Sequence, residues 1–358
     1  MTSIRLLRIS TRLVTKRNKI GVAKVTNRVA ISSIAVRRFG RWGALSSLLG
    51  ENTFNLSKIL VDTAKTAAGN RISLKETNSD SSKKELKLNI LEKIVNTKKQ
   101  EIAAARQVTP LTELQAMYRD CMPVRNFFSA VTQEPKGLVN VIAEVKKASP
   151  SAGVIQADFD PVRQAQMYHA AGADALSVLT DEQYFQGSLS YLAAVRKQVP
   201  LPILRKDFII DGYQVWQSRV AGADAILLIA EILTDSQMMD LLILSAELHL
   251  TALIEVHEME SLLRMRSILG FPMRSYSLLG INNRDLTTFQ VDLINSIRLA
   301  EFVEDKQVLV AESGIRDKAD VQRLAAAGIR TVLIGETLMR SGDVSQTMAN
   351  LKGIMRQG

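Results

Sequence analysis

One cysteine, Cys121, stands in 358 residues. A lone thiol excludes an internal disulfide and any zinc site built on clustered cysteines, and it fits a reducing compartment. No apolar run reaches the roughly 18 to 20 residues that a membrane-spanning helix needs. The longest candidate, LLIAEILTDSQMMDLLILSAEL, is interrupted by Glu231, Thr234, Asp235, Ser236 and Gln237. The glycine fingerprint GxGxxG and the P-loop pattern are both missing, so nothing in the chain asks for a dinucleotide or ATP. His169, His249 and His257 stand apart, and HEMES lacks the second histidine of HExxH, so no metal site is expected.

Acids are missing too, but only from one end. Residues 1 to 50 hold eleven Lys or Arg and no Asp or Glu; against a whole-chain formal charge of +10, the remaining 308 residues therefore net −1. A nucleic-acid-binding domain carries its basic face on the folded part, and here that part is nearly neutral, so no nucleic-acid partner is expected. The leader has the composition of an organellar transit peptide, or of a start codon placed too far upstream. Residues 70 to 87 are polar with almost no apolar side chains and read as a disordered linker. Residues 1–87 are thus expected to be leader and linker, and 88–358 the catalytic domain. The compartment reads as cytoplasmic, with a plastid or mitochondrion as the alternative if the leader is a transit peptide.

What is present begins near Leu88. The stretch LNILEKIVNTKKQEIAAARQ places Ile90, Leu91, Ile94, Val95 and Ile102 on one helical face with Lys and Glu elsewhere, and LTELQAMYRDC (111 to 121) follows Pro110 as a second helix. Then eight short apolar runs each end in a charged or small polar residue: VIAEVKKASP (141 to 150), ALSVLTD (175 to 181), LPILRKDF (201 to 208), AILLIAE (225 to 231), TALIEVHE (251 to 258), LLGINNRDL (278 to 286), VLVAESGI (308 to 315) and TVLIGE (331 to 336). Ala-rich amphipathic stretches separate them. A unit of roughly 25 to 35 residues taken eight times predicts a (β/α)8 TIM barrel with an N-terminal helical extension, which could cover the bottom or lean over the mouth. AGAD recurs at 171 to 174 and 221 to 224, each time before a run, as a structural helix-to-strand turn, and Met238 and Met239 read as core filling.

In such a barrel the chemistry sits at the carboxyl ends of the strands. Side chains two apart on a strand face the same way, so Glu144 and Lys146 project together, with Ser149 in the loop beyond. Lys206 and Glu255 end separate runs and make an acid–base pair in which each tunes the other. Asn282, Arg284 and Glu312 complete a polar cluster too dense for chance. Gly314 in ESGI, after Ser313, and Gly335 in IGET, before Glu336, each follow a strand and precede a helical stretch, which is where barrel enzymes bind phosphate through backbone N–H groups. The bland readings are a salt bridge for the charged pairs and tight turns for the glycines.

The motifs IAEVKKASPS, LSVLTDEQYFQGS, LRKDFIIDGYQV, GADAILLIA, IEVH, GINNRDL, ESGI and IGETLM, spread over residues 88 to 357, resemble the indole-3-glycerol phosphate synthase family of tryptophan biosynthesis. The resemblance implies a carboxy-lyase that closes the ring of 1-(2-carboxyphenylamino)-1-deoxyribulose 5-phosphate with loss of CO2 and water. It implies Lys206 as general acid and Glu255 as general base or proton relay in dehydration. Lys146 would hold the substrate carboxylate, with a share in proton transfer, and Glu144 would orient it. Asn282, Arg284, Glu312 and Ser313 would line the pocket. Ser149, Gly314, Gly335 and the backbone of Glu336 would receive the phosphate. Glu336 departs from the serine of many relatives, so a backbone contact is expected there. No metal or organic cofactor is required by this chemistry. The expected partner is a phosphorylated small molecule, with no nucleic acid and no membrane, and the chain is expected as a monomer or associated with other tryptophan-pathway enzymes. Two other readings are another phosphate-binding barrel such as phosphoribosylanthranilate isomerase, and a non-catalytic binding protein with a basic arm.

Overall fold

A computed structural model describes residues 90–149, 153–156, 158–270, 276–285 and 290–354. The leader and linker expected at 1 to 87 lie outside the described residues. The eight apolar runs form eight strands: β1 Asn140–Val145, β2 Ala175–Leu179, β3 Ile203–Lys206, β4 Ala225–Ile229, β5 Thr251–Val256, β6 Ser277–Asn282, β7 Leu309–Glu312 and β8 Thr331–Ile334. They close into one barrel in which every neighbouring pair is parallel and β1 pairs with both β2 and β8. The predicted (β/α)8 barrel is therefore the observed fold. A short antiparallel hairpin, Ala148–Ser149 with Gly153–Val154, follows β1 and was not anticipated.

Alternation along the strands separates two cores. Val141, Ala143 and Val145 of β1, Ala252, Ile254 and Val256 of β5, and Leu309 and Ala311 of β7 face the helices. Ile142, Leu204, Leu253, Leu278, Val310 and Leu333 face inward and fill the barrel. Two residues beyond several of these inward positions, still on the same face, come Glu144, Lys206, Glu255 and Glu312. The barrel is thus apolar through its middle and becomes polar one layer below the mouth.

The extension serves both ends. Helix α1 (Ile90–Val108) lies at the mouth, with Ile94 joining the inner core and Ile102 packing with Leu114 of α2 (Leu111–Met117) and Tyr213. Burying one such Ile contributes roughly 1.5 to 3 kcal/mol. One residue departs from the amphipathic expectation: Lys98, placed by its pattern among the polar positions, is buried. Its ammonium lies 2.8 Å from Asp181, beyond β2, and 3.0 Å from Asp207, beyond β3. Burial opposes that charge, yet the two aspartates outweigh it and raise the Lys98 pKa. The second helix is shorter than expected and passes into a 3-10 turn at Tyr118–Asp120.

At the opposite end α3 (Phe127–Thr132) inserts Phe127 and Val131 into the inner core, and Asn140 Nδ2 donates to the carbonyls of Val131 and Gln133 at 3.0 and 2.8 Å. The AGAD repeats act as staples there. Asp174 accepts the backbone N–H of Val141 at 2.7 Å, and Asp224 that of Ile203 at 2.9 Å, each also held by a buried cation, Lys352 and Arg196 respectively. The remaining helices cover the outside: α4 Pro161–Ala170, α5 Leu189–Gln198, α6 Gly212–Ala221, α7 Asp235–Glu247, α8 Met259–Arg266, α9 Ile294–Ala300, α10 Lys318–Ala326, α11 Glu336–Met339 and α12 Val344–Lys352. Met238 on α7 is fully buried, as expected of core filling, whereas its neighbour Met239 is only partly buried. No helix among the described residues is long and apolar enough to cross a membrane.

Candidate active site at the barrel mouth

A cavity of about 470 Å³ opens at the carboxyl ends of the strands, and all twelve residues singled out in the sequence line it. Its centre is Lys206. The ammonium donates to Glu255 Oε2 at 2.7 Å and to Glu312 Oε2 at 2.9 Å, joining β3, β5 and β7 across the barrel. Burial alone would drive the lysine toward the neutral form, but Glu255, Glu312 and Glu144 outweigh it and keep it charged.

The two glutamates are not equivalent. One ammonium cannot compensate two buried carboxylates, and the remaining contacts decide between them. Asn282 Nδ2 donates to Glu255 Oε1 at 3.1 Å and His257 Nε2 lies 3.4 Å from the same oxygen, whereas Glu312 Oε1 has no hydrogen-bond partner among the described residues. Glu255 is accordingly held down to about 2 against the penalty of burial, by Lys206, His257 and Asn282. Burial and the nearby Glu255 charge push Glu312 up to about 8 despite Lys206, so it carries a proton at neutral pH. Gly280 makes room for this arrangement, since a Cβ there would stand 2.2 Å from Glu312 Oε1.

Glu144 and Lys146 face the cavity together as expected, 2.5 Å apart. Arg284 lies two residues past β6; its backbone N–H donates to Asn282 Oδ1 at 3.0 Å, and its guanidinium reaches within 3.9 Å of Glu336. Glu336 turns its other oxygen to Arg340 at 2.9 Å, so the acid at the head of α11 is countered by two arginines.

Both glycines follow a strand and precede a helix as expected, Gly335 as the cap of α11 itself and Gly314 a short turn ahead of α10. After β7 the chain passes through Ser313 and Gly314, both left-handed at φ 64 and 78, and α10 begins only at Lys318 behind its cap Asp317. A non-glycine residue held in that region marks a turn fixed by its surroundings. Gly335 is also required by packing: a Cβ there would meet Glu144 Oε1 at 2.4 Å.

Sequence reading missed two features. Leu179, Phe185, Phe208, Leu227 and Ile229 form an apolar wall on the β2 to β4 side, opposite the glycine turns of β7 and β8; the aromatics of QYFQGS and KDF were the available signal. His257, taken as isolated, stands behind Glu255 with Glu231 at 3.1 Å. Nothing local in the sequence connects Glu231 to Glu255, because their proximity exists only once β4 and β5 pair.

A closed barrel with a lysine, two glutamates and an asparagine converging at its carboxyl-terminal mouth defines an enzyme of the TIM-barrel class. A family model described as indole-3-glycerol phosphate synthase matches residues 91–351. Similar proteins include the indole-3-glycerol phosphate synthase of Rhodopirellula baltica, 48% identical over 258 residues that cover 72% of this chain and 96% of that one. The enzyme of the same name from Neisseria gonorrhoeae is 47% identical over 263 residues, covering 73% and 98%. The chain belongs to the indole-3-glycerol phosphate synthase family, the carboxy-lyases of tryptophan biosynthesis that its motifs resemble.

Proposed function

We propose that the chain closes the indole ring of 1-(2-carboxyphenylamino)-1-deoxyribulose 5-phosphate, releasing CO2 and water, with the cavity residues in the following roles. The carrying observation is the Lys206 ammonium held between Glu255 and Glu312 at the end of an otherwise apolar barrel. Ring closure puts negative charge on the substrate carbonyl oxygen, and a preorganised ammonium meets it with a proton. Loss of CO2 restores the aromatic ring. The hydroxyl formed from the carbonyl then leaves as water with a proton donated by the Lys146 ammonium, which the departed carboxylate has freed, and Glu255 takes the ring proton that must depart with it.

The two-sided lining orients the substrate. Its aromatic ring rests on Phe185, Phe208 and Leu179, its carboxylate reaches Lys146, which Glu144 orients, and its phosphate extends to the turns at Ser149, Ser313, Gly314 and Gly335. Asn282 positions Glu255, and Arg284 and Arg340 neutralise Glu336 so that an anion is tolerated beside it. Fixing both ends of the substrate brings the reacting carbons together. This reading needs only the small-molecule substrate, and it carries over the monomeric or pathway-associated state and the cytoplasmic location as parts of the same proposal.

The test is Glu255→Gln. The amide keeps the shape and loses the proton transfer, so kcat should fall by about 10² to 10⁴ with the fold retained. A variant that turns over normally but melts early would make Glu255 a structural partner of Lys206 and overturn the assignment.

A further inference from the structure

His257 and Glu231 do not line the cavity, yet they form its second wall behind Glu255. His257 Nε2 lies 3.4 Å from Glu255 Oε1, and Nδ1 lies 3.1 Å from Glu231 Oε2. The other oxygen of Glu231 accepts the backbone N–H of His257 at 2.9 Å, and Asn295 of α9 donates to the His257 carbonyl at 2.8 Å. The His257 backbone is therefore held from β4 and α9, and the imidazole it carries lies between the two carboxylates. Both side chains are largely buried, 12% exposed for His257 and 16% for Glu231. A buried imidazole between two carboxylates is costly unless it is charged.

Glu255 has Lys206 on one oxygen and His257 on the other. When Lys206 gives its proton to the substrate, the first of these cations disappears, and a buried carboxylate that loses its only counter-charge takes up a proton itself. We propose that His257 and Glu231 are positioning residues for Glu255: the imidazolium supplies a second, persistent cation on that carboxylate, and Glu231 holds the imidazole charged and aimed. The proposal rests on the roles given to Lys206 and Glu255 above.

The surroundings support it. His257 is faced by Glu231 from the end of β4, Glu255 from β5 and Glu312 from β7, with Lys206 on the far side of Glu255. The neighbouring helices contribute Asn295 from α9, the Ser261 hydroxyl from α8, directed at Glu231, and the Arg264 guanidinium of α8, which donates to the Ala230 and Leu233 carbonyls on either side of Glu231. Burial works against the imidazolium, but the carboxylates prevail and raise the pKa of His257, while His257 in turn lowers that of Glu231.

Glu231→Gln and His257→Gln in the full chain test it, with kcat and KM followed from pH 5.5 to 8.5 beside thermal melts. In His257→Gln, which keeps an N–H near Glu255 but no charge, kcat should fall roughly tenfold at every pH with KM within about threefold. In Glu231→Gln the imidazole remains but surrenders its proton at lower pH. Activity should approach wild type at the acid end of the range and drop as pH rises, earlier than any such fall in wild type. The double variant should be no worse than His257→Gln alone. Wild-type kcat and pH profiles in both single variants, with only the melting temperature lowered, would overturn the proposal while leaving Glu255 as base if Glu255→Gln is inactive. Normal turnover in Glu255→Gln would overturn both.

Discussion

At the scale of single residues, the site is governed by a mismatch in charge count. Lys206 contacts two buried glutamates, and the one with fewer partners, Glu312, is held protonated. An acid whose folded-state pKa stands above its ordinary value binds a proton in the folded state that the unfolded chain has released, so stability falls as pH climbs from about 4.5 to about 8. Glu312→Gln removes that penalty. The variant should melt about 3 to 8 °C higher than wild type near pH 8, with the difference shrinking toward pH 5, and should lose activity. A difference in melting temperature that does not change with pH would mean that Glu312 is ionised throughout. Several of these residues were legible in the sequence because a charged side chain two positions past an inward apolar one, as Glu144 follows Ile142 and Glu312 follows Val310, has few reasons to exist in a barrel strand other than chemistry. His257 and Glu231 were not legible, since neither is close in sequence to anything it touches apart from Glu255 and the strand it ends.

At the scale of elements, α1 is part of the site's foundation. Lys98 bridges Asp181 and Asp207, and Asp207 in turn accepts from Arg205 at 2.9 Å and Thr180 at 2.6 Å, immediately beside Lys206. The apolar periodicity of α1 showed that it would be a helix with one buried face, but not which end of the barrel it would cover. That choice rests on Lys98, whose acceptors come from two strand ends far apart in sequence. Lys98→Met should destabilise the protein by about 2 to 4 kcal/mol in chemical denaturation, because it leaves two buried aspartates short of a cation. It should also lower kcat by shifting the end of β3. A loss below about 0.5 kcal/mol would show that Ile94 and Ile102 hold the helix unaided.

At the scale of the whole molecule, the charge divides the chain. The acid-free segment 1 to 50 accounts for the entire basic excess, while the family match begins at residue 91. We infer that the leader is dispensable for chemistry. A chain lacking residues 1 to 85 should keep kcat and KM within about twofold of the full chain and the same melting temperature; an inactive truncation would give the leader a part in the site. The barrel order itself was readable because each of its eight units repeats the same pattern, whereas the hairpin after β1 and the 3-10 turn after α2 carry no periodic signal.

The central claim, that Lys206 delivers the proton that closes the indole ring, is tested most directly by incubating the purified full chain and its Lys206→Met variant with 1-(2-carboxyphenylamino)-1-deoxyribulose 5-phosphate and following indole-3-glycerol phosphate and CO2 together. The wild-type chain should form the two in equal amounts. The variant should still bind substrate and turn it over at least 10² to 10⁴ times more slowly, by the usual worth of a positioned general acid, roughly. Near-normal turnover in Lys206→Met, or no product from the wild-type chain, would contradict the account.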